Sequence, residues 1–237
     1  MNLVTDTIAW LLDLASWAGP MGILVRLWEH IAYSTVSMLV AMAIAIPAGI
    51  WIGHTGRLAS FGANVANFGR ALPSLAVIGL VLPITAAIDP QAGFKVYPTI
   101  VAMILLAIPP ILINTQTGVA EVDRDLVEAA RAMGLTEPQV VRRLELPLAV
   151  QPILAGLRSA SVQVIATATI GAIFGGGGLG GFLIEGMAQR DAGKTFGGVV
   201  LVAVLALLVE GAFVLLQRLI RSPGLARMEA SRAGSEA

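Results

Sequence analysis

The chain has 237 residues, of which 57% are hydrophobic and 13% charged, with a formal net charge of zero and no cysteine. That apolar content exceeds what a soluble core of this size needs and makes a bilayer the expected solvent. The charge balance argues against a basic nucleic-acid binder, and the absence of thiols excludes disulfides, thiolate metal sites and a cysteine nucleophile.

In chain order, residues 1–30 are expected to form an exterior amino-terminal segment. Met1 to Trp17 carries Asp6 and Asp13 where a signal peptide has its basic region, and no small-residue cleavage site ends it, so it should be retained. Ile8, Leu11, Leu12, Ala15 and Trp17 suggest a short amphipathic helix at the membrane interface, interrupted at Gly19-Pro20. Residues 31–220 form the membrane domain. Its apolar runs are long enough to cross about 30 Å of hydrocarbon at about 1.5 Å per residue. The first covers Ile31 to Ile52 and is followed by His54-Thr55-Gly56-Arg57. The second, Leu72 to Ile88, follows Asn64, Asn67 and Arg70 and reads as one long helix with a polar lower half. The third, Thr99 to Val119, contains Pro109-Pro110, which removes backbone donors and is predicted to bend or locally unwind the helix. A hydrophilic loop at 121–147 precedes the fourth span, Val150 to Phe174, and the fifth runs from Phe196 to Ile220. Residues 221–237 are expected to be a disordered cytoplasmic tail. The fold class is therefore all-α: a polytopic membrane protein of about five transmembrane helices.

Lys and Arg near the span ends set the orientation. One side collects Arg57, Arg70, Arg124, Arg131, Arg142, Arg143 and Arg218 together with the tail arginines, whereas the other has Arg26, Lys95, Arg190 and Lys194. The first side is expected to be cytoplasmic, which puts the amino terminus outside and the carboxyl terminus and the 121–147 loop inside the cell.

That loop has a clear local logic. Asp125 with Glu128 resembles a capping box, after which Leu126, Ala129, Ala130 and Met133 fall on one helical face. Gly134 ends the helix by tolerating a left-handed conformation. Thr136 with Gln139 forms a second capping box, and Pro138 sits in the first turn of the next helix. Two short helices meeting at a glycine also describe a DNA-binding helix-turn-helix. Against that, membrane spans flank the pair directly and its second helix offers little basic surface beyond Arg142 and Arg143. A solvated loop without a partner is the plainer alternative; small Ala129 and Ala130 favour close approach by a cytoplasmic protein instead.

The order Glu128-Ala129-Ala130, Gly134, Leu144, Leu146-Pro147 resembles the signature of ABC importer permease subunits, with Leu144 where the family usually has Ile. The five-span plan is similar to the compact type I permeases. The resemblance implies that the loop is a coupling helix docked on a separate ATPase subunit, with Asp125, Leu126, Glu128, Ala129, Ala130, Arg131, Met133, Gly134, Leu135, Leu144, Leu146 and Pro147 as its coupling residues. It further implies a second permease subunit, identical or closely related, and an extracellular substrate-binding protein. ATP and magnesium would be held by the ATPase, leaving this chain with no cofactor, no metal and no catalytic residue. Arg70-Ala-Leu-Pro73-Ser74-Leu-Ala76 and Gly175-Gly-Gly-Gly-Leu-Gly180 resemble segments of the osmoprotectant permeases (glycine betaine, carnitine, choline) and, less closely, of the methionine permeases.

Remaining signals are weaker. Gly176, Gly178 and Gly181 spell a G-x-G-x-x-G, but no strand precedes it and no Walker sequence occurs anywhere, so nucleotide binding by this chain is discounted. The glycine run reads as an exterior loop that packs closely or gates. Arg70, Asn114, Gln116, Arg158, Gln163 and Glu210 lie in or near apolar spans, where a charge costs roughly 2.5 to 3.5 kcal/mol, so they should face protein or water. Glu210 is expected to bond within its own subunit or across a permease interface. Candidate path or gate residues are Arg70, Pro73, Ser74, Pro109, Pro110, Asn114, Gln163, Gly177 and Gly178. Trp28, Tyr33 and Trp51 show no spacing that builds an aromatic cage for a quaternary ammonium. The rival of a different class is an ion-coupled secondary transporter or channel using Glu210.

Overall fold

The computed structural model describes residues 2–58, 60, 62, 64, 65 and 72–220, and among these all regular structure is helical. At the amino terminus, α1 (Leu3–Leu12) and α2 (Leu14–Trp17) lie before the break at Gly19-Pro20, as their composition predicts. Asn2 and Asp13 cap them by accepting from Val4 and Ala15 backbone N–H groups.

Long helix α3 (Ile23–Thr55) has 33 residues. It starts eight residues before the expected span, because Arg26 and Glu29, polar residues ahead of that span, find partners in the fold. Helix α4 (Ser74–Ile88) has 15 residues, or about 22 Å, shorter than a full crossing by itself. Asn67 and Arg70, part of the expected polar lower half, lie outside the described residues, as does the 221–237 tail. Helix α5 (Tyr97–Ala120) runs unbroken through Pro109 and Pro110, so the predicted unwinding does not occur. Asn114 Nδ2 donates to the Pro110 carbonyl at 2.8 Å, giving that stretch a polar partner inside the helix.

Two short loop helices, α6 (Arg124–Ala132) and α7 (Glu137–Val140), follow. After one π-helical turn, Val141–Glu145, the chain enters α8 (Leu146–Gly171). A 3-10 turn, the glycine run, α9 (Gly180–Gln189) and α10 (Ala192–Ile220) complete the chain. Among the described residues, four helical segments are long and apolar enough to cross a membrane: α3, α5, Glu137–Phe174 and α10.

The core lies among α3, α5 and α8. Ala41, Ala45, Gly49 and Gly53 recur every four residues along α3 and are buried, so α5 approaches the backbone closely. A Cβ on Gly49 would sit 2.7 Å from Thr115 Cβ, and one on Gly53 2.8 Å from Val119 Cβ. Contact without side chains between helices is how membrane proteins gain packing where lipid is as apolar as the core. Met103, Ile111, Leu157 and Val164 fill the rest. Helices α3 and α5 run in the same direction, since Ser37 meets Ile100 and Gly53 meets Val119, while α8 returns against them, Gly156 facing Asn114 and Gly171 facing Thr99. Helix α10 buries only Gly193, Gly197 and Gly198, all near its start; its apolar remainder needs lipid or another chain to cover it.

Candidate functional site

The hydrophilic loop folds as a small body of its own. Asp123, not Asp125, caps α6: its carboxylate accepts from the Asp125 N–H at 2.9 Å while its backbone stays non-helical. Asp125 is instead inside the first turn, where a negative charge favours the helix dipole. The helix ends at Gly134, whose φ of +87° lets Leu135 N–H reach the Ala130 carbonyl at 3.2 Å. That closure turns Leu135 back onto Val122, Val127, Ala130 and Val140, with Leu144 packed beside them. Ala130, expected on the outward face with Leu126, points into this miniature core instead; the helical rotation from residue 126 carries it to the side of Val127. Leu126, Glu128, Ala129, Arg131 and Met133 remain exposed. Met133 is 75% exposed and Leu126 49%, an apolar strip with no internal use.

The second cap forms as expected, Gln139 Oε1 accepting from Thr136 N–H at 2.9 Å, with Pro138 in the first turn of α7. Pro147 then lacks the N–H that would bond the Arg143 carbonyl, and the turn just before it widens, Leu146 N–H bonding Val141. Leu146 is half-buried and Pro147 exposed at the entry to α8.

An ionic chain ties this body to α3. Arg131 Nε and Nη2 donate to the two Glu137 carboxylate oxygens at 2.9 and 3.0 Å, a fork that fixes α6 against α7. His54, in the last turn of α3, places Nε2 3.1 Å from Glu137 Oε2 and Nδ1 2.8 Å from Glu145 Oε2. One imidazole ring thus faces two carboxylates, one at each nitrogen. Glu145 is 2% exposed, so His54 serves as the partner of a buried acid. Sequence reasoning missed this set. The available signal was Glu145 itself, an acid between Leu144 and Leu146 that must be paired if the leucines are buried.

At the opposite end of the bundle the glycine run is pinned to α3. Gly178 N–H donates to Glu29 Oε2 at 2.9 Å, and Gly177 and Gly178 hold φ of +74° and +67°, which lets the backbone lie against Glu29 and His30. Arg26 pairs with Glu185 of α9 and stacks 4.8 Å over the Phe182 ring centroid. Lys194 Nζ lies 2.8 Å from the other Glu185 oxygen. Burial pushes the Glu185 carboxyl up, but hydrogen bonds and charge from Lys194 and Arg26 outweigh it and hold the group below the usual carboxylate range.

The path candidates do not converge. Pro73 and Ser74 begin α4, Pro109 of α5 lines a cavity with Leu72, Ala76 and Leu80 on the α4 side, Pro110 and Asn114 lie at the α5–α8 crossing, Gln163 is exposed on the outer face of α8, and Gly177 and Gly178 sit at the far end. Arg70 lies outside the described residues. Glu210 does bond within its own subunit, its Oε1 3.0 Å from Arg158 Nε.

Known proteins resemble this chain across most of its length. Carnitine transport permease protein OpuCB of Listeria monocytogenes is 35% identical over 80% of this chain and 84% of its own. Choline transport system permease protein OpuBB of Bacillus subtilis (strain 168) is 30% identical over 87% and 92%. In three dimensions, a chain of the inward-facing MetNI methionine ABC transporter superposes with a TM-score of 0.75 at 25% identity, over 86% of this chain and 100% of that one. Residues 45–222 match the family model described as binding-protein-dependent transport system inner membrane component, and the chain belongs to that family.

Proposed function

We propose that this chain is the permease subunit of an ATP-driven importer for a small osmoprotectant such as glycine betaine, carnitine or choline, and that the 121–147 loop docks on a separate ATPase. The observation that carries the reading is the exposed Leu126–Met133 strip on a loop that has already closed its own core. An apolar surface left over after folding, rimmed by Glu128 and Arg131, suits a cytoplasmic protein partner. The loop then lies inside and the amino terminus outside, in agreement with the arginine asymmetry. A second permease subunit would cover faces of α8 and α10, and an exterior binding protein would deliver the solute. The chain itself performs no catalysis.

In this reading the ATPases draw the loops together on binding ATP and release them on hydrolysis. Arg131, Glu137 and His54 carry that displacement to α3, and the spans rock around the close α3–α5 contact. The pairing of Glu210 with Arg158 favours this reading over an ion-coupled carrier, because a carboxylate already neutralised by a guanidinium is a poor solitary proton site.

The test is uptake into proteoliposomes containing the permease, its ATPase and its binding protein, with radiolabelled glycine betaine, carnitine, choline and methionine. ATP-dependent accumulation of any of the first three, insensitive to an uncoupler, is the expected result. Methionine alone would reassign the solute, and uptake without the ATPase would end the reading.

A further inference from the structure

The outward face of α8 is polar where a lipid-facing helix would be apolar. Ala155, Arg158, Ser159, Val162, Gln163 and Ala166 follow one another at helical spacing along it, and Glu210 of α10 closes the groove they form. The cavity measures about 500 Å³, within the roughly 300–1,000 Å³ typical of small-molecule sites. Arg158 Nε holds Glu210 Oε1 at 3.0 Å, and Arg158 Nη1 donates weakly to Gln217 Oε1 at 3.4 Å. The two charged side chains are partly exposed, 39% and 34%, and both line this groove. The pair stands about three turns inside each helix, away from the loop end.

Charge balance selects what such a groove takes. The guanidinium and the carboxylate neutralise each other, so a lone cation or anion entering between them leaves an unbalanced charge in a low-dielectric surround, which is costly. A zwitterion leaves the sum at zero. Its carboxylate can take the planar fork of Arg158 in place of Glu210, while its ammonium end takes the freed Glu210 carboxylate. A quaternary ammonium has no N–H to lose, so charge alone suffices there, and Ala155, Ala166 and Val162 leave room for its methyl groups. Loss of the Arg158–Glu210 pair and the cost of stripping water from the zwitterion offset the two new pairs, which keeps binding weak, as a passage site requires.

We propose that Arg158 and Glu210 form a transit site for a small zwitterion, with the solute carboxylate on Arg158 and its quaternary ammonium beside Glu210. The proposal rests on the permease reading above and names the site within it.

The experiment measures binding of radiolabelled glycine betaine, and of choline as a cation without a carboxylate, to the purified permease–ATPase complex in the absence of the binding protein. Saturable glycine betaine binding tighter than that of choline is expected. Arg158→Gln should weaken glycine betaine binding at least tenfold and leave choline binding as tight or tighter, because Glu210 then faces the cation alone; Glu210→Gln should weaken both. Arg158→Lys, which keeps the charge but loses the fork, should fall between wild type and Arg158→Gln and guards against a folding defect in the glutamine variant. No saturable binding to the wild-type complex, or an equal loss of both ligands in Arg158→Gln, overturns the site. Co-purification of the ATPase with wild-type permease is scored separately, since its failure would count against the permease reading instead.

Discussion

Replacing Gly134 separates the shape of the loop from its chemistry. A Cβ built there meets nothing within 4 Å, yet φ is +87°, so alanine introduces no clash and its whole cost is the left-handed backbone. That cost is about 1–2 kcal/mol for an ordinary side chain, and smaller for asparagine, whose amide bonds locally in this region. If α6 docks only while Leu135 is folded back onto the miniature core, the same energy reappears as weaker association, at most about 5- to 30-fold. The assay is a titration of purified ATPase onto the permease in nanodiscs, comparing Gly134→Asn, Gly134→Ala and Gly134→Val. Affinity should fall in that order, valine being worst because a β-branched residue tolerates positive φ least. Alanine and valine binding as tightly as glycine, or asparagine binding more weakly than alanine, would refute the reasoning.

Two other perturbations probe the ends of α3. His54→Leu leaves the buried Glu145 carboxylate without its imidazole partner, and should lower solute moved per ATP hydrolysed several-fold while the exposed Leu126–Met133 face still binds the ATPase. His54→Arg, which presents more than one donor to the two carboxylates, should restore much of it; an unchanged ratio in the leucine variant would remove His54 from the coupling route. At the other end, Glu185 has a depressed folded-state pKa, so its stabilising effect is present at neutral pH and is lost as pH falls through the folded value, below the ordinary carboxylate range near about 4.3. Melting of wild type and Glu185→Gln in detergent should therefore differ at pH 7 and converge in acid; a gap that stays constant across that window would contradict the ion-pair account.

Much of the fold was legible because bilayer solvent imposes it. Apolar runs of sufficient length gave the helices at Tyr97–Ala120 and Ala192–Ile220 to within a few residues at each end, and the glycine and the second cap of the loop were readable from residue types alone. What failed was whatever depends on distant partners. Arg26 reads only as one of the exterior cations, and Glu29 gives no signal at all, because their partners Glu185 and Gly178, 159 and 149 residues away, carry no local trace in the sequence. The same holds for His54, whose carboxylate partner Glu145 is 91 positions on. The Asp125 assignment failed for a subtler reason: Asp123 and Asp125 are both plausible caps, and only the backbone conformation at 123 decides between them.

The two ionic sets gain meaning from the helix that joins them. Helix α3 has 33 residues and so spans about 50 Å, with His54 held to the loop body in its last turn and Arg26 and Glu29 held to α9 and the glycine run near its start. It is continuous through Pro47, and its Ala41, Ala45, Gly49 and Gly53 stripe lies directly on α5. A helix packed without intervening side chains moves with its neighbour as one body, since tightly packed cores switch between arrangements rather than deform. A displacement of the loop body by the length of one ion pair must therefore either break the His54 contacts or reach Glu29. The first outcome would isolate the glycine run from the loop. The second makes the Gly178–Glu29 hydrogen bond the first contact on the far side to feel it, and Glu29 is where a loss of coupling between the two ends would be sought.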